Sequence, residues 1–561
     1  MIKIQQRLSK KIPGGTSLFI SFQFNQQIID IIKDKELGYE PFYNWDSKNK
    51  EWEVPISSLS YLIDRLTYLD DIQIDLIEEK EEQTHRDIVG NHKTNMYPYQ
   101  RDGVEFGLNN DNFLLLDAPG LGKSLQAIYL AEELKEQENI EHCLIICGVN
   151  SLKTNWQKEI KKHSKLDCIV LGQKVNSRGN ITYSTIKERA KQLKEKIKEF
   201  FIITNIESLR DNDFVNAFLK SENKIDMVVV DEIHKAKSVQ AQQTKGLIKL
   251  SKVKHKIAMT GTLIMNNPLD SYVPLKWIGA ENCSYTNFKY FYCKFGGQFN
   301  NFIIGYQNTS LLKEQIDSCS IRRTKDILDL PPKQIVEEVL EMDNDQQQFY
   351  LDIKSGVKES ADKVDLSTSS LLSLVTRLRQ ASDCPSILTT EKVSSSKIQR
   401  AYDITKETIE NGEKVVIFSV FKQPLNELYE LLKDDGALLC TGDIDDKTIS
   451  DNIDKFQTDN KYKVMLCTTS KMGTGVTLTS ATTEIFISSC WTQALETQCE
   501  DRCWRIGQKN KLTVYKLINH NTIDERVAEI LKVKGAMSDY VIDDKLSDST
   551  IDNLRKYIEE L

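Results

Sequence analysis

The chain has no long apolar run. No window approaches the ~18 uninterrupted apolar residues that a membrane-spanning helix needs, and the opening MIKIQQRLSKKIPGG lacks the apolar core of a secretory signal. A protein of the cell interior with no membrane partner is the expectation, cytoplasmic in a prokaryote or phage-infected host and nuclear in a eukaryote. There is no excess of positive charge either, since the formal net charge is -8. That sign does not exclude nucleic acid: net charge governs solubility and steering, whereas phosphate binding depends on where the lysines and arginines are placed. Zinc-type cysteine spacing is also missing. The 12 cysteines are scattered, and the close pairs, Cys143 with Cys147 and Cys499 with Cys503, have the wrong gap, so buried free thiols are expected instead of a metal site. Long disordered tracts have little room in a chain that is 40% hydrophobic and 28% charged.

What is present is alternation. Apolar runs of strand length (FLLLD, CLIIC, FFIIT, MVVVDE and HKIAMT, then VVIFS, VMLCTT and EIFISS) alternate with amphipathic helical stretches. This order predicts parallel sheets covered by helices. The first series ends near RRTKDILDLPPK and the second begins near residue 413, so two α/β lobes joined by a mostly helical segment are expected, with a cleft between them. The charged stretch EEKEEQTHRDIVGNHKTNM, residues 78–96, has the composition of a linker and sets off a small amino-terminal module.

Three patterns carry chemistry. DAPGLGKS follows a predicted strand and opens a predicted helix, the context of a phosphate-binding loop. There Gly120 and Gly122 let backbone amides approach phosphates, Lys123 can reach the β- and γ-phosphates, and the Ser124 hydroxyl can ligate magnesium at a positive helix end. A strict phosphate-loop pattern has glycine where this chain has Asp117. MVVVDEIH then places Asp231 and Glu232 at the end of a buried strand, Asp231 to hold Mg2+ and Glu232 to orient and deprotonate water. Finally, ETQCEDRCWRIGQ carries Arg502 and Arg505 at i, i+3, which on a helix would share one face and reach a γ-phosphoryl group when the cleft closes.

From about residue 97 to 545 the sequence resembles the SWI/SNF-type ATPases of helicase superfamily 2. YPYQRDGV looks like the family's adenine-reading Q motif, with Gln100 as its base contact. LIICGVNSLKTNWQKEI, ITNIESLR, AMTGTLIMNNPLD, IRRTKDILDLPPK, LRQASDCP, VVIFSVFKQPLNELYELL and LCTTSKMGTGVTLTSA follow in the family's order. The family also usually carries aspartate at the position of Asp117. The resemblance implies ATP and Mg2+ as cofactors, nucleotide contacts from Gly473 and Gly475, and DNA contacts from Ser151, Thr204, Ser419 and Thr469. Its fold would be two tandem RecA-like parallel-sheet lobes with helical insertions, preceded by a small α+β module. The expected boundaries are a module at 1–77, a linker at 78–96, a first lobe at 97–318, a connector with second lobe at 319–545 and a tail at 546–561. Ala118 and Pro119, Leu263, Thr477 and Ser488 depart from the family's usual residues.

The amino-terminal segment FNQQIIDIIKDKELGYEPFYNWDSKNKEWEVPISSLSYLIDRL reads as helix, hairpin, helix, with Trp45 and Trp52 flanking a polar turn. It resembles the HARP domain of annealing helicases, which implies that the two tryptophans help engage fork or junction DNA; the alternative is that they form the core of a packing module. The expected activity is a DNA-stimulated ATPase that translocates on duplex, forked or four-way DNA, by branch migration, fork regression or strand annealing. A monomer is expected, with replication or recombination proteins as partners. The alternatives are a motor that displaces proteins or polymerase from DNA, an RNA helicase, a nuclease-coupled restriction motor and an ATP-gated, non-catalytic DNA clamp.

Overall fold

The computed structural model describes residues 2–8, 16–33, 44–55, 59–67, 69, 74–77, 85–148, 152–175, 181–264, 267–296, 302–363, 368–472, 476–490 and 493–529. Two large sheets organise it. The first has seven strands in the order Ser320–Ile321, Asn112–Leu115, His255–Met259, Ile225–Asp231, His142–Cys147, Phe201–Asn205 and Cys168–Val170, all parallel. The second has six, in the order Lys333–Leu340, Leu512–Asn519, Thr483–Phe486, Val415–Ser419, Val464–Thr468 and Ala437–Cys440, again all parallel. These are the two tandem RecA-like lobes; the expected helical segment, helices 344–363, 368–383 and 396–410, does not join the two sheets but follows Lys333–Leu340, a strand of the second sheet, in the chain.

Every strand-length apolar run noted above forms a strand, and the reason is burial on both faces. In the first sheet Leu114, Leu144, Ile202 and Val228 pack into one core while Phe113, Cys143, Phe201 and Val229 pack into another on the opposite side. The second sheet divides Val415 and Ile417 from Val416 and Phe418 in the same way. A strand that alternates between two dry layers must be apolar at every position. Each fully buried Leu, Ile or Phe contributes about 1.5–3 kcal/mol to holding these layers together.

The order of the first sheet positions the site. The strand that precedes the phosphate-loop segment and the strand that ends in Asp231 flank His255–Met259, so Leu115, Met259 and Asp231 stand level at the carboxyl rim. Ligands of open parallel sheets bind at this rim.

The amino-terminal module contains the helix Gln26–Ile32, the hairpin Asn44–Asp46 with Glu51–Pro55, and the helix Leu59–Thr67, in the order expected. They belong to a larger unit, because strands Ile2–Leu8, Thr16–Phe22 and Ile74–Ile77 complete a five-stranded sheet. Those strands went unread since polar residues such as Lys3, Gln5 and Ser17 interrupt the apolar pattern. Within residues 78–96, the described part from His85 packs onto the first lobe: His92 lies 3.0 Å from a Glu132 carboxylate oxygen and 2.8 Å from one of Glu133. The cysteines are buried or half-buried. Among the described residues, no helix is long and apolar enough to cross a membrane.

Candidate nucleotide site

The phosphate-loop segment turns because of its glycines. Gly120 and Gly122 have φ of 88° and 80°, which a side-chain-bearing residue adopts at a penalty, and Gly122 caps the helix Lys123–Glu138. Space is as restrictive as conformation. A Cβ on Gly122 would lie 2.4 Å from Gln100 Nε2, and one on Gly120 would lie 3.0 Å from Arg505 Cβ. Gln100 therefore sits against the loop: its Nε2 donates to the Leu121 carbonyl at 3.1 Å while its Oε1 accepts from the Tyr97 amide at 3.0 Å. Lys123 donates to the Asp117 carbonyl at 2.7 Å instead of to a carboxylate. Burial lowers its pKa, and the charges of Glu232, Asp231 and Asp117 only partly oppose that. Ser124 is half-buried in the first turn of the helix.

Asp231 and Glu232 meet this loop across the rim. The Trp156 indole N–H donates to Asp231 Oδ2 at 2.9 Å. Burial, with the neighbouring Glu232 charge, still pushes the Asp231 pKa up to about 6. Glu232 has φ 55° and ψ 52°, a left-handed conformation that turns its carboxylate off the strand direction. Burial would raise its pKa, but the His234 hydrogen bond and charge, with Lys123 and Arg502, bring it below the usual value. His234 Nδ1 lies 3.1 Å from Glu232 Oε2 and 3.0 Å from Thr260 Oγ1, and Thr260 Oγ1 donates to the Thr262 carbonyl at 3.0 Å. A relay thus runs from the acidic pair into AMTGT. Sequence reading quoted His234 and Thr260 inside their motifs and gave neither a role.

The arginines reach the site from the second lobe, though not on a helix. The helix ends at Glu500. The next amides fold back onto the carbonyls of Thr497, Cys499 and Glu500 as turns, so the expected shared helical face is replaced by two successive turns. Arg505 packs on Gly120, as the distance above shows, and burial followed by the Arg502 charge lowers its pKa to about 10. Arg502 is buried.

The donor set fits a magnesium nucleoside triphosphate. It offers a lysine paired only with a carbonyl, a hydroxyl at a helix start, a carboxylate with an elevated pKa and two arginines, around glycines that leave no room for side chains.

The other candidates lie apart. Thr204, Ser419 and Thr469 are buried, and Ser419 Oγ is 3.1 Å from Ser488 Oγ. Trp45 is 46% exposed with its ring centroid 5.2 Å from that of the half-buried Trp52, to which it is paired across the hairpin. Ser151, Gly473 and Gly475, the tail 546–561 and residues 78–84 lie outside the described residues.

The model of the SNF2-related domain matches residues 48–387, and that of the helicase conserved C-terminal domain matches residues 396–507. The chain is similar to an uncharacterized ATP-dependent helicase of Mycoplasma pneumoniae, 28% identical over 448 residues that cover 78% of this chain and 41% of that protein. It is 24% identical over 520 residues to a DNA repair and recombination protein RAD54-like of Drosophila persimilis, covering 80% and 64% of the two chains. The Sulfolobus solfataricus SWI2/SNF2 ATPase core in complex with dsDNA aligns with 84% of this chain and 99% of its own at 25% identity, with a TM-score of 0.37. The chain spans less than half the length of the Mycoplasma relative.

Proposed function

The chain belongs to the SNF2-related family, the SWI/SNF-type ATPases of helicase superfamily 2, and on that premise we propose that it is an ATP-driven motor on duplex DNA that remodels forked or branched substrates by branch migration, fork regression or strand annealing. The observation that supports a motor is the composite site: Arg505 of one lobe rests on Gly120 of the other, so the phosphate loop is complete only when the lobes are closed.

Each residue then has a task. Lys123, held by a carbonyl it can leave, takes the β- and γ-phosphates together with the amides that Gly120 and Gly122 expose. Asp231 and the Ser124 hydroxyl would hold Mg2+, which would offset the phosphate charge. Glu232, kept ionised by His234, accepts a proton from the attacking water, and Arg505 with Arg502 stabilises charge that develops on the γ-phosphoryl group. Gln100 bears on Leu121, so that an adenine at the Q motif would be felt by the loop. Opening and closing would then move the lobes along backbone phosphates without reading sequence. The relative with a repair and recombination name and the exposed Trp45 support branched DNA as the substrate.

Steady-state ATPase rates without nucleic acid, then with single-stranded, duplex, forked and four-way DNA and structured RNA, test the proposal. Strong stimulation by duplex or branched DNA is expected, strongest with forks or junctions. Stimulation by RNA alone, or by none of these, would overturn it.

A further inference from the structure

The segment IRRTK had no role in this mechanism, yet its two ends touch both halves of the site. The amides of Leu114, Leu116 and Ala118 donate in turn to the carbonyls of Cys319, Ile321 and Arg323, each at 2.9 Å. The segment therefore runs as a rail beside the strand and into the phosphate loop. At Arg323 the side chain joins in. Its Nε lies 2.9 Å from Asp117 Oδ1 and its Nη2 lies 2.6 Å from Asp117 Oδ2, a two-pronged pair with a fully buried carboxylate. Nη2 also donates to Gln126 Oε1 at 2.7 Å, Gln126 Nε2 donates to Asp117 Oδ2 at 2.9 Å, and Nη1 donates to the Tyr99 carbonyl beside Gln100. The residue that departs from the strict phosphate-loop pattern is the anchor of this knot.

Two residues further on, Lys325 turns to the other lobe. Its ammonium donates to Asp501 Oδ1 at 2.5 Å and to the Trp504 carbonyl, and lies 4.8 Å from the centre of the Trp504 ring. Lys325 and Asp501 are both buried. Asp501 precedes Arg502 and Trp504 precedes Arg505, so Lys325 grips the turn from which both arginines project.

We propose that Arg323 and Lys325 are positioning residues. They form a two-ended tie that holds the phosphate loop and the Arg502–Arg505 turn in one register, so that turnover depends on the tie and nucleotide affinity does not. The physical basis is that a planar guanidinium gripping both oxygens of a buried carboxylate fixes direction as well as distance, and a buried lysine ion-paired with Asp501 cannot slide without leaving a charge unpaired.

This inference rests on the ATPase reading above, and single-turnover hydrolysis at high enzyme concentration separates the two. Lys325→Gln, and Arg323→Lys, which keeps the charge and loses the fork, are each made alone and in an Arg505→Ala background. Each is measured for hydrolysis rate, ADP affinity and melting temperature. Lys325→Gln is expected to slow hydrolysis about 10- to 100-fold, the range for a catalytic group misplaced by about an ångström. Its ADP affinity should stay within about twofold, and Arg505→Ala with Lys325→Gln should be no slower than Arg505→Ala alone. Arg323→Lys should behave alike. Equal slowing in both backgrounds, slowing matched by lost ADP affinity, or no slowing where Arg505→Ala is inactive would overturn the tie and leave the ATPase reading standing. A wild-type chain that never hydrolyses ATP would overturn both.

Discussion

Two lysines stand at the carboxyl rims of the two large sheets, and their surroundings drive them in opposite directions. Lys397 lies 2.6 Å from Asp383 Oδ1 and 2.6 Å from Asp524 Oδ2, and donates to the Ile487 carbonyl at 3.1 Å. Burial disfavours its charge, but the two aspartates outweigh that and raise its pKa. Lys123 feels four carboxylates at a distance, grips a carbonyl, and has its pKa lowered by burial. One rim is closed by its own acids, while the other keeps a positive charge uncompensated. Ser488 belongs to the closed rim, since its hydroxyl donates to Asp383 Oδ2 at 2.6 Å and the carboxylate needed there comes from LRQASDCP. A rim that pairs its own charges is structure, and one that withholds pairing is prepared for an anion.

The sharpest break of this comparison is to remove each charge. Lys123→Met should lower ATP turnover by about 10³-fold or more, as loss of a preorganised phosphate contact does. Its unfolding free energy in denaturant should be unchanged or higher, because a desolvated charge has gone. Lys397→Met should do the reverse: leaving Asp383 and Asp524 buried without a cation costs about 3–5 kcal/mol of stability, and turnover per folded molecule should stay near wild type. Equal destabilisation by the two substitutions would show that both rims are structural.

Much of this arrangement was legible in the residues, and the gaps have physical causes. Runs such as MVVVD and VVIFS announce themselves because both faces of their sheets are dry. Lys333–Leu340 does not, since it is an edge strand whose Ile335 is 48% and Val339 57% exposed among glutamates. The nucleotide residues were readable because phosphate chemistry demands glycine, lysine and acid at short spacing along one stretch. Arg323 and Lys325 were not assignable, because their partners Asp117 and Asp501 lie 206 and 176 residues away and only the fold brings them together. The shared helical face expected for Arg502 and Arg505 failed for a local reason, the helix ending just before them.

A rim held open for a ligand should also titrate. Burial, then the Glu232 charge, raise the Asp231 pKa to about 6, so below that pH a proton occupies the group that magnesium needs. The Mg2+ concentration for half-maximal turnover is expected to be level above pH 7 and to rise up to about tenfold per unit below 6. For the metal-free chain the sign follows from a folded value above the unfolded ~4: this carboxyl's contribution to stability is fully present below about 4 and is lost as pH rises through about 6. Saturating Mg2+ should remove that loss. A Mg2+ requirement that does not change between pH 5 and 7 would place the metal on another group.

The smallest effect tests whether the same contrast recurs in the amino-terminal sheet. Trp52 packs against the module core with Lys33 Nζ 5.3 Å from its ring centre, whereas Trp45 leans against it at an angle and keeps nearly half its surface in solvent. Asp46 Oδ1 accepts from the Lys48 and Asn49 amides at 2.9 and 3.2 Å, which shapes the hairpin turn beside Trp45. A half-exposed aromatic on a braced hairpin is poised to stack on an unpaired base, a contact of ~1–3 kcal/mol. Trp45→Ala should therefore weaken binding to forked DNA about tenfold with basal ATPase activity and melting temperature nearly unchanged, whereas Trp52→Ala should lower the melting temperature of the module first. Loss of stability without loss of fork binding in Trp45→Ala would assign this tryptophan to packing, and the open-versus-closed contrast would then be confined to the two large sheets.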